Sequence, residues 1–120
     1  LSNDPCGDLD ADLTYSINHR GRVNVASLAK KAKVHQYILA SSCSVYGSGA
    51  NDTFTEESET SPISTYAKAN VLVENDVCSL ADDNFIVTAL RQATVFGLSP
   101  RLRFDLVLFR LFLLKGTYIL

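Results

Sequence analysis

Between Leu13 and Ala32 apolar and small residues recur three and four positions apart, at Leu13, Ile17, Gly21, Val25, Leu28, Ala29 and Ala32. That period predicts an amphipathic helix packed through this face. Asp12 suits its N-cap, and Gly21 would let it approach a neighbour closely. Lys30, Lys31 and Lys33 suit a solvated helix C-terminus at the negative end of the dipole. Ahead of the helix, Asn3-Asp4-Pro5 reads as a turn. After it, Tyr37-Ile38-Leu39-Ala40 is apolar without alternation, the pattern of a strand buried on both faces of a parallel sheet. A second helix is predicted from about Ser64 to Leu80, with Ala69, Leu72, Val73, Val77 and Leu80 as its apolar face. Asp82-Asp83-Asn84 ends it, and Phe85 to Leu90 reads as a second buried strand.

The predicted order is helix, strand, long loop, helix, strand. Such alternation argues for an α/β fold with parallel strands. Ligands of open parallel sheets bind beyond the C-terminal ends of the strands, which is where the segments from Ser41 to Gly47 and from Arg91 to Gly97 fall. The intervening loop, to about Pro62, is long for a compact domain, and long ordered loops are usually functional.

Composition narrows the function classes. The 120 residues carry 11 Lys and Arg against 13 Asp and Glu, a formal net charge of −2, with 47% hydrophobic residues. That suits one globular domain or a piece of one. A chain without a clustered basic surface is not expected to bind nucleic acid. The most apolar stretch, Phe104 to Leu114, is interrupted by Asp105 and Arg110 and is too short for the roughly 20 apolar residues of a membrane span. Cys6, Cys43 and Cys78 form no CxxC pair, and His19 and His35 form no HExxH, so neither structural zinc nor metal catalysis is expected. Widely spaced, odd-numbered cysteines suit reduced thiols and a cytoplasmic location. The chain has no Met and opens on LSNDP, the look of an internal fragment.

Three strings then carry a resemblance: ASSCSVYG at 40–47, SPISTYAKAN at 61–70 and LRQATVFG at 90–97, with INHRGRVNVASLAKKA in the first helix. In this order and spacing they resemble the NAD-dependent epimerase/dehydratase family of the extended short-chain dehydrogenases/reductases. The resemblance implies a Rossmann-like, doubly wound parallel sheet. Residues 1–108 would be the central part of its NAD(P)-binding domain, without the first strands and the glycine-rich loop, and 109–120 a divergent C-terminal segment. No GxxGxxG occurs in this chain.

The resemblance also implies a site. Ser42 and Tyr66 would be catalytic, Tyr66 taking the proton of a sugar hydroxyl as its carbon gives hydride to NAD or NADP. Ser42 would bind the same oxygen. Tyr66, Asn70 and Ala93 would contact the cofactor, and Ser42 and Thr94 the substrate, expected to be a nucleotide sugar. Asn18 would support the sheet or touch the cofactor. Homodimers are compatible with the family. One position departs: the family's YxxxK lysine is Asn70 here, and Lys68, two residues from Tyr66, points away from its helix face. Without an acid at Cys43 or Ser44, the dehydratase branch loses weight against epimerases and reductases. The expected protein is therefore an epimerase-like oxidoreductase weakened at Asn70. The alternatives are a non-catalytic Rossmann-fold binding protein and a carbonyl reductase of the extended family.

Overall fold

The computed structural model describes residues 4–48 and 53–94. The segments from Val95 to Gly97, from Phe104 to Leu114 and at 109–120 lie outside the described residues. The chain runs through α1 (Asp4–Leu9), α2 (Ala11–Thr14), a π-helical segment (Tyr15–Gly21) and α3 (Arg22–Lys31). It continues through β1 (Gln36–Ser42), a 3-10 turn (Cys43–Tyr46), α4 (Thr65–Cys78) and β2 (Ile86–Gln92).

The two strands pair in parallel, in a register running from Gln36↔Ile86 to Ser42↔Gln92. A parallel pair needs a crossover, and α4 supplies it. Ser64 caps α4, its side chain accepting from the Ala67 N–H at 3.1 Å. Asp8 adds a second cap, Oδ1 accepting from the Thr65 N–H at 2.9 Å. At the other end of the crossover, the Asp82 side chain accepts from the Asn84 N–H at 2.9 Å, and Asp82 bridges Phe85 to turn the chain into β2.

The core lies on one side of the sheet. Ala26 of α3, Val73 and Val77 of α4 and Leu39 of β1 form its buried centre, with Tyr37, Val87 and Ala89 packed against it. The opposite face leaves Ile38, Ile86 and Leu90 exposed. Burial on both faces, expected of these strands, therefore does not occur among the described residues. Burial alternates along each strand, β1 burying Leu39 and Ser41 and β2 half-covering Val87, Ala89 and Arg91, because α4 and Ala26 of α3 pack on the same side.

The first helix departs further from expectation. Asp10, not Asp12, caps it, accepting from the Leu13 N–H at 2.9 Å. Asp4 and Pro5, expected in a turn, open α1 instead, and Asn3 lies outside the described residues. The buried side chains are Thr14, Asn18 and Ala26, while Leu13, Ile17, Val25 and Leu28 are exposed. Small residues win the interior because the π-helical segment packs on α4, whose buried positions include the small side chains of Ala67 and Ala69. Thr14 is satisfied there, Oγ1 donating to the Gly7 carbonyl at 2.8 Å. Leu72 of α4, expected inside, is also exposed. Lys30, expected to be merely solvated, pairs with Asp82 at 2.7 Å and donates to the Leu80 carbonyl at 2.6 Å.

Candidate active site

Ser42 ends β1 and opens the 3-10 turn. Its Oγ accepts from the Ser44 N–H at 3.2 Å and from the Ser44 hydroxyl at 3.0 Å. With two bonds accepted, the Ser42 O–H remains available to donate. Gly47 then turns the chain with φ 67°, ψ −150°. A Cβ there would stand 2.0 Å from the Ser61 carbonyl oxygen, so only glycine fits. Ser61 in turn donates its N–H to the Val45 carbonyl at 2.9 Å. This clip lays the end of the loop beside the strand end and feeds the chain into α4.

Tyr66 occupies the first turn of α4 and is half-buried. Asn70, one turn later, is 1% exposed. Its Nδ2 donates to the Tyr66 carbonyl at 3.1 Å and its Oδ1 accepts from Arg22 Nη1 at 2.8 Å. Arg22 Nη2 donates to the Ala40 carbonyl near the end of β1. One guanidinium therefore joins α3, α4 and β1. Burial pulls Arg22 below its ordinary pKa, while Tyr66, Tyr37 and Glu74 act to raise it. Sequence reasoning missed Arg22; its placement immediately after Gly21 was the only signal. Lys68 is exposed, as its helical phase requires.

A second polar cluster braces the strand ends. Arg91 of β2 grips Glu74 of α4 through Nε and Nη2, at 2.8 Å for Nη2 to Oε2. The Ser41 hydroxyl donates to the same carboxylate. Arg91 Nη1 donates to the Tyr46 hydroxyl at 3.0 Å and to the Glu56 carbonyl at 3.2 Å. The Tyr46 hydroxyl donates to the Thr55 carbonyl at 2.8 Å, and the Tyr46 ring stacks on Phe54 at 5.0 Å. Hydrogen bonding to Glu74 holds Arg91 above its ordinary pKa. Beside this cluster lies a cleft of about 890 Å³ that includes Cys43, Cys78 and Gln92. Desolvation pushes the Cys78 thiol up, away from a reactive thiolate.

Ser42 thus ends β1, Tyr66 and Asn70 lie on the first turns of α4, and Arg22 joins Asn70 to the Ala40 carbonyl of that strand. Ala93 and Thr94 follow β2 and are exposed, with no bond to that group. Asn18 is buried on the π-helical segment. The hydroxyls, amide and guanidinium here suit a ribose and a hydroxyl-bearing substrate. Among the described residues no glycine-rich turn meets a helix N-terminus to hold a pyrophosphate.

The model for the NAD dependent epimerase/dehydratase family matches residues 2–111. The chain is similar to sterol-4-alpha-carboxylate 3-dehydrogenase, decarboxylating, of Bos taurus, 36% identical over 91 residues, which cover 72% of this chain and 26% of that protein. The Homo sapiens protein of the same name is 34% identical, covering 78% of this chain and 26% of its own length. Among solved structures, MoeE5 with UDP-glucuronic acid and NAD is 31% identical at a TM-score of 0.66, over 82% of this chain and 34% of that one. The Bordetella bronchiseptica enzyme WbmG with NAD and UDP is 27% identical at 0.57, over 64% and 24%. The chain thus spans about a quarter of its curated relatives.

Proposed function

The chain belongs to the NAD dependent epimerase/dehydratase family, and from that premise we propose that it is the proton-transfer part of an NAD(P)-dependent oxidoreductase acting on a hydroxyl-bearing carbon of a nucleotide sugar. The observation that supports this reading is that Arg22 ties Asn70, one turn after Tyr66 on α4, to the Ala40 carbonyl two residues before Ser42 at the end of β1.

Tyr66 takes the proton of the substrate hydroxyl, and Ser42 donates to the same oxygen and fixes its position. The chemistry a bound NAD would supply is a hydride acceptor for that carbon. Tyr66, Asn70 and Ala93 would hold the cofactor, and Ser42 and Thr94 the substrate. Tyr66 suits this work because its phenolate oxygen takes the proton and becomes the phenol, and Ser42 because its hydroxyl donates to the same substrate oxygen. The protein acts in the cytoplasm. A homodimer of it would use the exposed apolar residues Leu13 and Ile17.

A second reading follows from the sterol dehydrogenase relatives: oxidation of a ring hydroxyl on a carboxylated sterol. The experiment uses the full-length protein that contains these residues, with reduction of NAD followed by absorbance. UDP-glucose and UDP-glucuronic acid are compared with a sterol 4-carboxylate. Turnover on a nucleotide sugar, lost in Tyr66→Phe and reduced in Ser42→Ala, is expected. Turnover on the sterol alone selects the second reading. Activity untouched by Tyr66→Phe overturns both, and NAD binding without turnover leaves a binding protein.

A further inference from the structure

We propose that Ser44 is a positioning residue for Ser42: by donating to Ser42 Oγ, its hydroxyl holds the Ser42 hydroxyl in the role of hydrogen-bond donor to the substrate oxygen. The inference deepens the reading given above and rests on the role it assigns to Ser42.

A serine hydroxyl carries one O–H and two acceptor lone pairs, so by itself it can meet a substrate in either sense. The oxygen of a substrate alcohol donates or accepts, but once the carbon is oxidised to a carbonyl that oxygen only accepts. A group that serves both forms therefore has to be a donor. Ser42 is restricted to that role. Its Oγ takes the Ser44 N–H at 3.2 Å and the Ser44 hydroxyl at 3.0 Å, which fills both acceptor positions. Among the described residues the Ser42 O–H meets no acceptor.

The two bonds differ in origin. Any residue but proline at position 44 would supply the N–H, as in an ordinary capped turn. Only the side chain of Ser44 supplies the second bond, and it is the shorter one; the backbone bond lies at the long limit of a good N–H···O contact. The donor also stands on a fixed turn. The Ser44 carbonyl accepts from the Gly47 N–H at 3.1 Å, and the next residue, Val45, is fully buried and accepts from the Ser61 N–H at 2.9 Å. Ser42 and Ser44 are both half-buried, so water can fill the place of a lost hydroxyl. Water both donates and accepts, however, and would leave Ser42 free to present either its O–H or a lone pair. Donation from Ser44 also polarises the Ser42 O–H, because hydrogen bonds in a chain strengthen one another. In this role Ser44 acts through Ser42 and exchanges no proton with the substrate.

The test removes one bond and keeps the other. In the full-length protein, kcat and KM are measured for the wild type, Ser44→Ala, Ser44→Thr, Ser42→Ala and the double variant Ser42→Ala/Ser44→Ala, with whichever of UDP-glucose, UDP-glucuronic acid and a sterol 4-carboxylate is turned over. Ser44→Ala is expected to lower kcat about fivefold or more, the worth of one neutral hydrogen bond, with KM changed less than about twofold. Ser44→Thr keeps the donor and should keep most of the activity. The double variant should be no slower than Ser42→Ala, because Ser44 acts through Ser42. Wild-type kcat in Ser44→Ala overturns the proposal. So does a loss in Ser44→Thr equal to that in Ser44→Ala, and so do losses that multiply in the double variant. Full activity in Ser42→Ala removes the role of Ser42 and the proposal with it. A second arm needs no turnover and decides alone if no substrate reacts: with serine labelled selectively, the Hα–Hβ couplings of Ser42 read its χ1 rotamer. One staggered rotamer is expected in the wild type and in Ser44→Thr, and averaging over rotamers in Ser44→Ala. A single, unaltered rotamer in Ser44→Ala overturns the proposal. If Tyr66→Phe retains activity, the proton-transfer reading fails, and the comparison of single and double variants still decides the coupling of Ser44 to Ser42.

Discussion

Gly7 of α1 lies directly against Tyr66 of α4: a Cβ on Gly7 would stand 3.0 Å from the Tyr66 Cβ and 3.3 Å from its backbone nitrogen. Helix α1 therefore seats the residue on which the proposed chemistry depends, and the contact has no room for a methyl group.

Gly7→Ala is expected to push α1 off the start of α4, at about 1–3 kcal/mol of stability for an overpacked contact. Displacing Tyr66 should also lower kcat more than it raises KM. Urea unfolding and steady-state kinetics on the same variant check both. A stability and kcat equal to wild type would show that the helices separate freely.

Glu74→Gln should be among the most damaging single changes. The Glu74 side chain is 8% exposed and that of Arg91 24%. Removing the negative charge leaves Arg91 without its partner and weakens the tie between α4, β2 and the loop at Thr55 and Glu56. A loss of about 3 kcal/mol is expected, at the low end for a broken buried pair because Arg91 keeps some contact with water. Chemical denaturation measures it, and a loss below about 1 kcal/mol would mean that solvent replaces the pair.

Asp8 links stability to acid pH. The hydrogen bond from the Thr65 N–H holds its carboxyl below the ordinary 3.8. A lowered folded-state value means the carboxylate contributes fully above 3.8, and the contribution fades as pH falls from there through the folded value. Asp8→Asn should therefore be less stable than wild type at neutral pH, with the two curves converging below 3.8. Parallel melting curves from neutral to acid pH test this. A gap that persists at the acid end would point to shape rather than charge.

Asn70→Lys by itself should harm the protein. It sets an ammonium against the Arg22 guanidinium and removes the acceptor that Arg22 uses. A loss of about 2 kcal/mol or more is expected from like charges and a buried donor left unpaired. Combined with Arg22→Gln, the loss should shrink well below the sum of the two single changes, because the residues share one bond. Additive effects in the thermal melts would show that the two side chains act separately.

Leu13 and Ile17, 47% and 46% exposed, test the pairing of two copies. Leu13→Glu/Ile17→Glu should shift the protein toward monomer in sedimentation experiments, with little change in secondary structure. An unaltered dimer would place the contact elsewhere.

Much of the fold was legible along the chain. Helix α4 carries a capping serine and a regular apolar period, and both strands stand out as short apolar runs, so the βαβ unit and its ligand-binding end follow from local pattern. Local pattern places Ser42 at a strand end and Tyr66 and Asn70 early on α4; the roles given to them come from the family resemblance of the strings around them. The orientation of the first helix was not. Its strongest apolar positions, Leu13, Ile17, Val25 and Leu28, match an ideal period, yet Thr14, Asn18 and Ala26 face inward. Hydropathy ranks leucine above threonine and asparagine, but a close helix contact selects small side chains and satisfied polar ones. The π-helical turns also change the phase of the face, which a constant period does not follow.

The sequence by itself determined the elements, their order and the parallel crossover, because propensity, capping and periodicity act between residues a few positions apart. Tertiary structure alone decided which face of each element is covered. It also brought Arg22 to Asn70 and Arg91 to Glu74, partners 48 and 17 residues apart. Those pairings depend on distances across packed helices and strands. A guanidinium finds its acceptor only after the backbone has closed around it, and no local pattern carries that distance.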